Sequence, residues 1–70
     1  MKIISVERQK DTVLVTIIPR VENGKYSFVN LTYGHICKCQ FNTYEQAIED
    51  LENEIRLGNV IRYNIIGNEL

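Results

Sequence analysis

Residues 12–31 read TVLVTIIPRVENGKYSFVNL, and the way this stretch alternates decides the fold. Thr12, Val13, Val15, Thr16, Ile17 and Ile18 form a run of β-branched residues, which favours a pleated strand. Val13, Val15 and Ile17 fall on one face of that strand; Leu14 and Ile18 fall on the other. Apolar side chains on both faces mark a strand in the middle of a sheet, or one covered on its second side. Pro19 ends regular pairing, or marks an edge or a bulge. Asn23-Gly24 predicts a two-residue type I′ turn, whose central positions need positive φ. Residues 25–31 then return antiparallel, with Tyr26 and Phe28 on one face and Val29 and Leu31 on the other.

Outward from this hairpin, residues 2–8 read as a first strand with Ile4 and Val6 sharing a face, and Gln9, Lys10 and Asp11 break it. Tyr33-Gly34 predicts a turn, after which residues 35–41 read as a short fourth strand or a continuation of the third. Thr43 followed three residues later by Gln46 has the form of a capping box. The helix it opens runs to Leu57, with Tyr44, Ala47, Ile48, Leu51 and Ile55 forming one apolar stripe. Glu45, Glu49, Asp50, Glu52 and Glu54 are assigned to its outer face, with Glu52 and Arg56 as a four-residue ion pair. Gly58 stands where a left-handed C-cap belongs. Residues 60–66 read as the last strand, Ile61, Tyr63 and Ile65 alternating with Arg62 and Asn64. Residues 67–70 are a short polar tail expected to fray.

The expected fold is therefore α+β: a single domain over residues 1–70, order β-β-β-(β)-α-β. An antiparallel sheet of three to five strands carries one helix on one face. Only one helix is available to cover it, so Leu14, Ile18 and Leu31 on the opposite face are expected to be partly exposed. A chain of 70 residues holds one thin core, and a bound partner or a second copy would add to its stability.

Composition narrows the function classes. The chain is 44% hydrophobic and 24% charged, which is not a disordered composition. Its net charge of −1 and lack of a Lys/Arg cluster argue against nonspecific binding of nucleic acid, which needs a basic excess. Ile3 and Ile4 are followed by Glu7, Arg8, Lys10 and Asp11, which leaves no secretion signal. No apolar run is long enough to span a membrane either, so no membrane association and a cytoplasmic location are expected.

Cys37 and Cys39 sit one residue apart. On a regular strand such neighbours make poor disulfide geometry, so they are expected to be reduced thiols acting as small hydrophobes. His35, Cys37 and Cys39 have the chemistry of zinc ligands, yet same-face neighbours stand roughly 7 Å apart and do not converge on one ion. The same parallel orientation separates His35 from Cys37 as a base and nucleophile. No metal, cofactor or catalytic residue is assigned, and the chain is expected to be non-enzymatic.

Two surfaces can bind a protein partner. The acidic helix face, represented by Glu45, Glu49 and Glu52, would steer a basic partner. The open sheet face offers Leu14 and Ile18, with Tyr33 in a loop as an exposed aromatic anchor. The stretch from Asn23 to Ile55 resembles the HicB-like antitoxin domain, a small partial RNase-H-like fold. The resemblance rests on Asn23-Gly24-Lys25-Tyr26, on Thr43-Tyr44-Glu45-Gln46-Ala47-Ile48-Glu49, and on Leu51. Asn30-Leu31-Thr32-Tyr33-Gly34 replaces the Pro-Asp-Leu-Pro-Gly-like segment usual there, and no separate DNA-binding segment is read. The resemblance therefore implies only the protein-binding, toxin-masking role of an antitoxin-like factor. A small protein of this make-up could equally be a phage-encoded inhibitor, and either would mask a partner's surface as a homodimer or in a heterocomplex. Two alternatives stay open: a nucleic-acid-binding domain with Arg20, Lys25, Lys38 and Arg62 gathered on the open sheet face, and a structural or assembly subunit.

Overall fold

In the computed structural model, which describes residues 2–67, five strands and one helix follow the order β1 (Ile3–Glu7), β2 (Thr12–Pro19), β3 (Tyr26–Asn30), β4 (His35–Ile36), α1 (Tyr44–Arg56) and β5 (Arg62–Gly67). The strands form one antiparallel sheet in the order β4-β3-β2-β1-β5. The first four form a meander. The last returns to the far edge beside β1. At about 1.5 Å per residue, the 13-residue helix is about 19 Å long. Four strand spacings of about 4.8 Å come to the same length, so the helix can carry the chain from the β4 edge to the β5 edge.

Register fixes the two faces. Ile4 opposes Val15, Val6 opposes Val13, and Ile17 opposes Phe28. These side chains, with Tyr26 and Tyr63, point toward the helix. Ile4, Val6, Val13, Val15 and Ile17 are buried there with Ala47, Leu51 and Val60. Ile48 and Ile55 pack around them half-buried, and Phe28 meets Phe41 edge-to-face at 5.8 Å between ring centres.

The helix begins and ends where the residue pattern places it. Thr43 is the N-cap, its Oγ1 accepting from the Gln46 N–H at 3.1 Å, while Gln46 Oε1 accepts from the Asn42 N–H. Gly58 has φ +85°, which lets the chain reverse after the C-cap Leu57. Arg56 does not pair with Glu52: it donates to Asn53 Oδ1, and Glu52 accepts from the Tyr63 hydroxyl.

Four boundaries differ from the expectation. The β2–β3 connection is a four-residue loop and not a two-residue turn: the Arg20 N–H bonds to the Lys25 carbonyl and the Gly24 N–H to the Arg20 carbonyl. This register sets Pro19 opposite Tyr26, whose own N–H and C=O both pair with Phe41 on the other side. Pro19 therefore has no ladder bond to donate, and its missing N–H costs nothing. The shift from the expected register is two residues, so face parity is kept. The fourth strand is regular only over two residues, and regular β5 pairing begins at Arg62 because Val60 drops into the core. Gly67 belongs to β5 and is not tail; residues 68–70 lie outside the described residues. Among the described residues, no helix is long and apolar enough to cross a membrane.

Candidate functional site

Among the described residues, no helix or strand lies over the sheet face away from the helix. Leu14 opposes Leu31, whose N–H bonds to the Leu14 carbonyl, and Val29 opposes Ile36 on β4. Leu14 and Leu31 are each more than one-third exposed, and Ile36 is 52% exposed. Ile18 shares this face but is half-buried, so it contributes less area than its sequence position suggests. Ile36 was missed in the sequence because the extent of the fourth strand hides which face it takes.

Tyr33 is exposed, as expected, yet it is not free to swing. Its hydroxyl donates to Asp11 Oδ2 at 2.9 Å, and Asp11 also receives two bonds at 2.7 Å from the Arg8 guanidinium. The cluster clasps the β1–β2 turn to the β3–β4 turn. The Arg8 bonds, then the Tyr33 bond, hold the Asp11 carboxyl below its ordinary pKa, while Asp11 raises the Arg8 and Tyr33 values. A tethered ring loses less rotamer freedom on binding than a loose one.

The acidic helix face divides. Glu45, Glu49 and Glu52 are exposed, whereas Asp50 and Glu54 are half-buried, so assigning all five to the outer face is corrected. Asp50 and Glu54 instead wall an open cleft of about 500 Å³, floored by Val13, Val15 and Phe28 and rimmed by Lys10. Burial raises the Asp50 pKa, and neighbouring Glu54 adds to the effect. An apolar floor with a few polar groups at its rim suits a small apolar body, but the rim carries both charge signs. Sequence periodicity does not reveal the cleft, because its walls come from elements far apart in the chain.

Of the cations of the nucleic-acid alternative, Arg20 and Lys25 stand opposite each other, whereas Arg62 is apart and both arginines are already paired. Arg20 pairs with Glu22 at 2.7 Å and Arg62 with Glu7 at 2.8 Å. Arg62 stands on β5, at the sheet edge opposite Lys38.

Cys37 and Cys39 are joined as a disulfide, which corrects the expectation of reduced thiols. The physical reason lies in the irregular edge. The Cys37 N–H still bonds to the Phe28 carbonyl, and Phe41 pairs with Tyr26 in both directions. Residues 38–40 are therefore extra residues facing Ser27 alone, a bulge in the edge strand. The bulge brings the two Cα atoms to 5.3 Å, inside the range a disulfide bridges. Ser27, fully buried, donates its hydroxyl to the Cys39 carbonyl at 2.7 Å and pins the bulge to the sheet. His35 lies outside this ring, and among the described residues no three His, Cys, Asp or Glu side chains are grouped to hold a metal.

No family model, curated protein or solved structure matches this chain.

Proposed function

We propose that this chain is a non-enzymatic protein-binding module that masks a partner protein by docking it on the sheet face opposite the helix. The observation that carries this reading is the row Leu14, Leu31 and Ile36, exposed on a face that no helix or strand among the described residues covers. Apolar side chains in one patch give a protein interface its desolvated centre. The resemblance of residues 23–55 to HicB-like antitoxin domains points to the same class of role, an inhibitor or antitoxin-type factor. Protein is favoured over nucleic acid because Arg20 and Arg62 already have carboxylate partners.

The test is a pull-down from lysate of the source cells, with and without nuclease, using the tagged chain beside two double variants. Leu14→Lys/Ile36→Lys alters the sheet face, and Glu45→Lys/Glu49→Lys alters the helix face. One protein held stoichiometrically by the wild type and the helix variant, and weakened at least about tenfold by the sheet variant, is the expected result. Loss in the helix variant alone moves the docking surface to the acids. Binding that disappears with nuclease treatment overturns the reading in favour of nucleic acid.

A further inference from the structure

We propose that Cys37 and Cys39 form a reversible thiol–disulfide exchange site, operated by a low-molecular-weight thiol/disulfide couple of the glutathione type. The site is built from four observations. Cys37 ends the paired part of the edge strand and Cys39 lies on its bulge, and both cysteines are only half-buried, open in part to a small thiol. The bulge already holds the Cα atoms within bridging distance, and Ser27 fixes its backbone from below through the Cys39 carbonyl. The Cys39 N–H points at Cys37 Sγ at 3.2 Å, a donor that favours the thiolate of Cys37 over its thiol. Lys38, exposed between the two, adds a nearby positive charge.

The bridge is poorly suited to being a structural staple. A disulfide stabilises mainly by restricting the unfolded chain, and one that closes over a single residue restricts it far less than a long loop does. Exposed bridges of this kind are the reducible, regulatory ones. The exchange balances as follows. The Cys37 thiolate attacks one sulfur of RS–SR, forming a mixed disulfide and releasing RS⁻, which takes up a proton. The Cys39 thiol then loses its proton and attacks Cys37 Sγ, closing the intramolecular bond and releasing the second RS⁻. Two protein thiols are oxidised, one small disulfide is reduced to two thiols, and excess small thiol runs the same steps backward.

The experiment equilibrates the purified chain with reduced and oxidised glutathione at graded ratios. Acid quench, maleimide alkylation and intact mass then count the free thiols. The expected result is one reversible two-electron transition within the range glutathione sets, between a doubly alkylated and an unalkylated monomer. In single variants, Cys39→Ser should gain glutathione on Cys37 about twofold to fivefold faster than Cys37→Ser gains it on Cys39. Three results would overturn the proposal: thiols that stay alkylatable at every ratio, a bridge that forms only between chains, or a bridge that no ratio of glutathione opens. Equal trapping rates in the two variants would overturn the assignment of Cys37 as the attacking thiol.

Discussion

The two faces of the sheet are made from the same strands and buried by different means. Toward the helix, Ile4, Val6, Val13, Val15 and Ile17 are each no more than 8% exposed because α1 lies over them. On the opposite face the large aliphatics stay in contact with solvent, yet Thr16 and Ser27 are almost wholly buried. Their hydroxyls donate to the Lys2 and Cys39 carbonyls at 2.6 and 2.7 Å, so each buried polar group has a partner supplied by irregular chain. One face is closed by apolar packing. The other is closed only locally, by hydrogen bonds to backbone.

That contrast fixes the largest expected effect. Leu51→Ala removes a buried side chain from the helix seam and should lower unfolding stability by about 2–5 kcal/mol, read from urea denaturation. Leu14→Ala on the bare face should cost less than about 1 kcal/mol. If Leu14→Ala costs as much as Leu51→Ala, the bare face is covered in solution. A stability that rises with protein concentration would then identify the cover as a second copy.

Ser27→Ala sharpens the same comparison at an intermediate size. It leaves the Cys39 carbonyl without its donor in a place the sheet shields, which should cost about 1–3 kcal/mol by the same measurement. A cost near zero would mean that water reaches the bulge and that the hydroxyl does not pin it.

Most of the scaffold is legible in the residues. The Val13/Val15/Ile17 alternation, the Thr43 cap with Gln46 and the Gly58 stop each report a local physical requirement, and each element lies where that requirement places it. The candidate sites are less legible because they arise from departures from regularity. Asn23-Gly24 signals a tight turn, but the register is set by which residues pair outside it, and it leaves Pro19 opposite Tyr26. Cys37 and Cys39 read as parallel side chains on a regular strand, and only the bulge turns them together. The helical stripe gives Leu51 correctly, whereas Asp50 and Glu54 face a cleft whose walls come from elements far apart in the chain.

The smallest expected effect concerns the clasp between the β1–β2 and β3–β4 turns. Arg8 and then Tyr33 favour the ionised Asp11 carboxyl, so its pKa in the folded chain lies below that in the unfolded one. The contribution is therefore fully present above the ordinary carboxylate pKa of about 3.9 and is lost as pH falls through the lower folded value. The Tyr33 pKa is raised chiefly by its bond to Asp11, so that bond persists at neutral pH and is lost as pH rises through the folded phenol value. The whole cluster lies near the surface, where solvent screens it, so its effect on global stability should be slight. A carboxyl-detected NMR titration should place the Asp11 inflection below the ordinary value. Arg8→Gln should raise it more than Tyr33→Phe does, since Arg8 is the larger cause. An Asp11 that titrates at the ordinary value, unmoved by either change, would show that the clasp does not hold in solution. The Tyr33 ring would then be mobile, while the helix-covered face would be unaffected.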